Sequence, residues 1–165
     1  MPSFLPDLAS VLLVGLGATA LMDAWLLLLA RLGGPPASFV LVGRWIGHLA
    51  RGTLVHAAIA QARPVRAEAA LGWLTHYAVG IAYAALLVAL VGPAWLRTPT
   101  LLPALAWGVA TVVVPLFVMQ PAMGAGIASR RTATPWRHRL RSLANHTVFG
   151  TGLYVAARLV ASAAP

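Results

Sequence analysis

Four long apolar stretches set the limits on what this chain can fold into: residues 8–30, 69–91, 101–123 and 140–161. Each is long enough to cross a bilayer as a helix, which takes about 20 residues. The runs are continuous and dominated by Ala and Leu, so they read as helices and not as strands. The first run continues past Ala18-Thr19-Ala20, which mimics a cleavage site, and no basic segment precedes it. It therefore reads as a retained span and not as a signal peptide.

Composition agrees with that reading. Of 165 residues, 60% are apolar and 9% charged, and the mean hydropathy is +0.83. A soluble domain carries roughly 25% charged residues. The expected fold class is all-α: a polytopic membrane four-helix bundle forming a single integral membrane domain over residues 1–165. Pro35-Pro36, Pro64, Pro93, Pro99 and Pro135 fall between the spans and stop helices there. Pro103 sits in the first turn of span three, where a missing N–H costs little. Pro115 lies inside that span and predicts a kink.

The net charge is +9 and the pI about 11.9. All twelve basic residues are Arg, against three acids, Asp7, Asp23 and Glu68. Residues 31–67 carry Arg31, Arg44, Arg51, Arg63 and Arg66, and residues 124–141 carry Arg130, Arg131, Arg137, Arg139 and Arg141. The remaining two are Arg97 and Arg158. This asymmetry places both long loops in the cytoplasm and both termini outside. It also accounts for the basic pI without a nucleic-acid partner, since no nucleic-acid motif accompanies the charge. The partner expected is membrane lipid, and a homodimer if the chain transports anything, because four helices enclose little volume. Trp45, Trp73, Trp95, Trp107 and Trp136 lie in loops or near span ends, as interface anchors would. The stretch 44–61 can form a helix with Arg44, His48 and Arg51 on one face, lying at the inner interface or closing over the bundle.

Chemistry is constrained by what is missing. Without Cys or Lys there is no disulfide, thiolate or Schiff-base chemistry. Neither a P-loop, a Gly-x-Ser-x-Gly nor a His-Glu-x-x-His is present. Polar residues inside spans are costly and so are the functional pointers that remain. Asp23, His76 and His146 each lie six or seven positions from a cytoplasmic span end. At ~1.5 Å per residue all three sit roughly 9–11 Å below that boundary. Gln120 and Asn145 are on the same side. Small residues line the same helices: Gly15, Thr19 and Asp23; Gly72, His76 and Gly80; His146 and Gly150. Such stripes let helices approach and turn polar groups inward. The layer of Asp23, His76, Gln120, Asn145 and His146 has three readings. It is packing glue, a proton or ligand site for proton-linked transport or sensing, or a divalent metal site on Asp23, His76 and His146. His48 and His56 could add a loop ligand to the last. No other cofactor is expected, and the leading reading is non-enzymatic. A metal-binding membrane enzyme and a scaffold or assembly factor acting through the Arg-rich loops are the alternatives.

A faint internal repeat pairs His76-x-x-x-Gly80-x-x-Tyr83 with His146-x-x-x-Gly150-x-x-x-Tyr154, and Ala18-Thr19 with Ala110-Thr111. It suggests two parallel helix pairs. Gly17-Ala18-Thr19 through Asp23, Gly43-Arg44-Trp45, Gly72-Trp73-Leu74 with His76-Tyr77, Gln120-Pro121-Ala122-Met123-Gly124 and Phe149-Gly150-x-Gly152-Leu153-Tyr154 resemble an uncharacterised family of small bacterial inner-membrane proteins, a domain of unknown function. The resemblance covers nearly the whole chain. It implies four spans and a bacterial inner membrane, and no activity.

The absence of Cys makes single-cysteine labelling a direct readout of sidedness. With an impermeant maleimide, Ala133→Cys is expected to react only from the cytoplasmic side and Ala94→Cys only from the periplasmic side. Reaction of Ala133→Cys in intact cells would reverse the assignment.

Overall fold

A computed structural model describes residues 4–35 and 38–163, with side chains from residue 8. Pro36 and the Asp7 side chain lie outside the described residues. Among the described residues the regular structure is all helical, with α1 (Phe4–Arg31), α2 (Phe39–Leu49), α3 (Glu68–Val91), α4 (Leu101–Ala110), a short α5 (Gln120–Ala122) and α6 (Pro135–Ala163). Three segments are long and apolar enough to cross a membrane: Leu8–Arg31, Glu68–Val91 and Leu101–Ala122. These match the first three expected spans, and the chain reads as a membrane protein.

Helix ends follow local chemistry. α1 stops where Gly33 takes a left-handed conformation, φ 85°, and the N–H of Gly34 bonds back to Leu29 O. α3 stops at Gly92, φ 91°, just before Pro93. Pro115 does break span three, though not as a simple bend. α4 ends at Ala110, and Pro115–Met119 is wound more widely, as a π turn, before α5. Proline removes an N–H that the tighter ladder needs, and the wide turn absorbs the extra residue.

The fourth expected span is helical but less apolar. α6 carries Arg137, Arg139 and Arg141 in its first turns and Asn145, His146, Thr147 and Thr151 further on. A helix facing protein on several sides can hold such residues, and α6 buries Phe149, Gly150, Gly152, Leu153, Ala156 and Ala157.

The chain divides into two compact units. One comprises residues 1–35, 77–111 and 145–165. Its core joins Val14 and Ala18 of α1, Ala84 and Leu87 of α3, Ala104 of α4 and Leu153 and Ala157 of α6, with Trp95 and Leu96 from the turn after α3. Trp95 is thus a core residue, 6% exposed, and not an interface anchor; its indole N–H donates to Thr100 O at 3.2 Å. Hydrophobic transfer does not hold apolar helices together in lipid, so close contact must. The contacts here bring backbone against backbone, with the Thr19 side chain as the exception. A Cβ on Gly15 would lie 2.6 Å from Ile81 Cα, and one on Gly80 would overlap the Thr19 hydroxyl. A Cβ on Gly108 would lie 2.6 Å from Gly150 N, and one on Gly152 would lie 3.0 Å from Ala18 Cα. α1 therefore packs on α3 and α6, and α4 on α6. The expected helix pairs are present as α1/α3 and α4/α6, but not in identical register. Thr19 faces Gly80, whereas Thr111 meets His146, one turn before Gly150.

The second unit comprises residues 36–76 and 112–144. Here α2 lies on the start of α3. A Cβ on Gly43 would strike Glu68 O, and one on Gly72 would strike Phe39 O. The expected helix over 44–61 is corrected. It starts at Phe39 and ends at Leu49, because Gly52 turns left-handed and Thr53 N bonds back to His48 O. Arg51 therefore lies beyond it. The first Arg-rich loop is tied to the second: His56 N donates to Ala122 O at 2.8 Å and Ile59 N to Met123 O at 3.1 Å.

Gly108→Leu and Gly150→Leu should each destabilise the protein by about 2–3 kcal/mol or prevent folding, because the neighbour that must give way is backbone. Ala106→Leu, on an exposed position of α4, should be near neutral. Equal unfolding midpoints for all three in detergent would contradict the packing.

Candidate functional site

A polar group among apolar helices must find a partner, and the sequence-predicted layer resolves into separate partnerships. Three lie in the first unit. The Tyr77 hydroxyl donates to Asp23 Oδ2 at 2.8 Å, joining α3 to α1. The Trp25 indole donates to Asn145 Oδ1 at 3.1 Å, joining α1 to α6. Thr111 Oγ1 and His146 Nδ1 lie 2.8 Å apart, joining α4 to α6. The Thr111 hydroxyl also donates to Gly108 O at 2.6 Å. A hydroxyl has one proton, so that bond leaves His146 Nδ1–H as the donor of the other.

The remaining two layer residues belong to the second unit. The His76 ring stacks on Phe39, centroids 4.1 Å apart, with Trp73 set edge-on at 5.9 Å. Gln120 accepts from the buried Ser129 hydroxyl at 2.7 Å and donates to Ser142 at 3.4 Å. It thereby fixes the loop after α5, where Ala128 and Ser129 both have positive φ. Arg139 Nε adds a bond to Ala128 O at 2.8 Å. Among the described residues no group of three His, Asp or Glu is arranged to hold a metal ion. Of the three residues read as a metal set, His146 has its Nδ1 held by Thr111, Asp23 accepts from Tyr77, and His76 stacks on Phe39. The His56 ring, named above as a candidate loop ligand, has both nitrogens buried without a hydrogen-bond partner among the described residues, edge-on to His48 at 4.9 Å.

The strongest polar feature is one that sequence reading passed over. Arg44 grips Glu68 with both arms of its fork, Nε to Oε2 and Nη2 to Oε1, each 2.9 Å. Its third nitrogen donates to Ala60 O at 3.0 Å and Ala62 O at 3.2 Å. Glu68 also accepts from Val65 N at 3.2 Å. A planar guanidinium suits this geometry, and an ammonium does not. The hydrogen bonds to Glu68 push the Arg44 guanidinium still higher than its usual range. The signal available was that Glu68 is the one acid in a stretch holding five Arg. Tyr77 and Thr111 were likewise missed as partners, although Tyr77 directly follows His76 and Thr111 belongs to the internal repeat.

A family described as protein of unknown function (DUF2938) matches residues 12–160. The chain belongs to this family. No curated protein and no solved structure matches it. For this DUF2938 member the sequence resemblance therefore holds as to family, and the polar pairs have to be read from their own chemistry. Motif residues of the resemblance recur in the geometry: Arg44 in the clasp, Gly72 under α2, Tyr77 on Asp23, Gln120 on Ser129 and Gly150 against α4.

If the Arg44 clasp holds α2 and the 59–68 connection, Arg44→Ala should raise amide exchange across residues 59–68. Arg44→Lys should fail to restore protection, because it keeps the charge but not the fork. Unchanged exchange in Arg44→Ala would rule the clasp out as a structural element.

Proposed function

We propose that this family member is a four-span protein of the bacterial inner membrane, both termini outside, in which Asp23 binds and releases a proton during transport or sensing. The observation that carries the reading is the 2.8 Å bond from the Tyr77 hydroxyl to the Asp23 carboxylate. A carboxylate at the centre of an apolar helix costs about 2.5–3.5 kcal/mol on insertion scales. Neutral groups suffice to clamp helices, as Trp25 with Asn145 does in the same unit. What Asp23 adds to such a clamp is an ionisable carboxyl group. The phenol holds the carboxylate by one hydrogen bond, where a guanidinium would grip it with two charge-assisted ones. Transport would be carried by a homodimer, since four helices leave little room for a path.

A second reading is supported by charge placement. Nine of the twelve Arg, with Glu68 as the acid, fall in the unit of residues 36–76 and 112–144. A scaffold or assembly factor acting through the Arg-rich loops would use that unit and not Asp23.

The two are separable in reconstituted vesicles. Under the proton-linked reading, Asp23→Asn folds and inserts normally but loses pH-dependent flux or pH-dependent conformational change, and Tyr77→Phe shifts its pH profile. Wild-type behaviour of Asp23→Asn, with loss of function on substituting exposed loop Arg, would replace it with the scaffold reading.

A further inference from the structure

Ten of the twelve Arg are in the two loop segments of residues 31–67 and 124–141; Arg97 and Arg158 are the two that are not. They are 61 positions apart in sequence, yet both line one open cavity of about 420 Å³. The cavity is formed by the α3–α4 connection and the last turns of α6, and Thr98, Thr100 and Ser162 line it as well. Both guanidinium groups are exposed, and neither is ion-paired among the described residues. The described carboxylates are engaged elsewhere, Asp23 by Tyr77 and Glu68 by Arg44. Two like charges converging on one concavity repel unless an anion occupies it, and a concave wall focuses their field on such an anion.

The hydroxyls say which anion. Thr100 precedes α4 without making a side-chain cap bond, so its proton is not committed there. The Thr98 hydroxyl reaches Ala94 O only at 3.5 Å, the outer limit of a hydrogen bond. Ser162 donates to Leu159 O at 2.9 Å and supplies an oxygen to the rim. Two separate guanidinium forks with hydroxyl donors between them suit a tetrahedral oxyanion, which offers acceptor oxygens in several directions. A planar carboxylate would satisfy one fork and leave the other unused. The cavity also adjoins the ends of Glu68–Val91 and Leu101–Ala122, both long and apolar enough to cross a membrane, where headgroup phosphates lie.

We propose that this cavity binds a phosphate group, carried by a phospholipid headgroup or by a soluble phosphate. The site is independent of Asp23. The test uses the full chain in phosphatidylcholine nanodiscs. One arm adds inorganic phosphate and the other replaces part of the lipid with phosphatidylglycerol; each reads the unfolding midpoint, and the lipid arm also reads bound phospholipid by mass spectrometry. A rise in midpoint with phosphate alone identifies a soluble ligand, and one with phosphatidylglycerol alone identifies a headgroup. In either case Arg97→Gln and Arg158→Gln should each weaken binding about tenfold, the loss of one charge-assisted contact, while unliganded midpoints stay unchanged. Arg51→Gln, in the other unit, should keep the full response. No response of the wild type in either arm, or a response that survives both substitutions, overturns the proposal.

Discussion

In hydrocarbon, one apolar helix gains nothing by meeting another except close contact and the polar bonds that contact permits. The first unit of this protein is arranged around that constraint. Gly15 meets Ile81, Gly80 meets Thr19 and Gly108 meets Gly150 at distances that leave no room for a Cβ, and Gly152 meets Ala18 almost as closely. Large apolar side chains could have filled the same interfaces, but they would hold the backbones apart. The short bonds Tyr77–Asp23, Trp25–Asn145 and Thr111–His146 depend on that proximity. Packing comes first, and the polar pairs are possible because of it.

Charge is partitioned with equal consistency. The unit of residues 36–76 and 112–144 holds most of the arginines, and its one acid is spent on Arg44. That pair does structural work: it joins α2 to the start of α3 and gathers two carbonyls of the intervening loop. The other exposed arginines of this unit, Arg51, Arg63, Arg66, Arg130, Arg131 and Arg137, remain a cationic surface. Such a surface is what keeps a loop on the cytoplasmic side of a membrane. Arg97 and Arg158 stand apart from this pattern, and the shared cavity gives a reason for it.

Much of the architecture was legible in the sequence because it depends on period and length. The apolar runs gave three long helices with ends within a few residues of those observed. The stripes at Gly15 and Thr19, at Gly80 and at Gly150 gave the faces that pack. Partner and register were not legible. A helical repeat says which way Asp23 points along its own helix, but not that Tyr77 will be opposite; a shift of one turn changes the partner, as Thr19 and Thr111 demonstrate. α2 was misplaced because its polar pattern was read across Gly52, which terminates it. Trp95 was read as an anchor from its position between spans, whereas the turn that carries it folds back into the core. Arg44 and Glu68 are separated by 24 positions, beyond any local rule.

α6, the least apolar of the long helices, lies against α1. A Cβ on Gly17 would lie 2.9 Å from that of Ala156, close to the spacing of about 3.5–4.5 Å that a disulfide needs. Oxidation of the Gly17→Cys, Ala156→Cys double variant in native membranes measures this directly. The expected result is an intrachain cross-link in most of the protein, and little with Val155→Cys, one position along and exposed. No intrachain cross-link at 156, or equal yields at 155 and 156, would show that α6 does not pack as described.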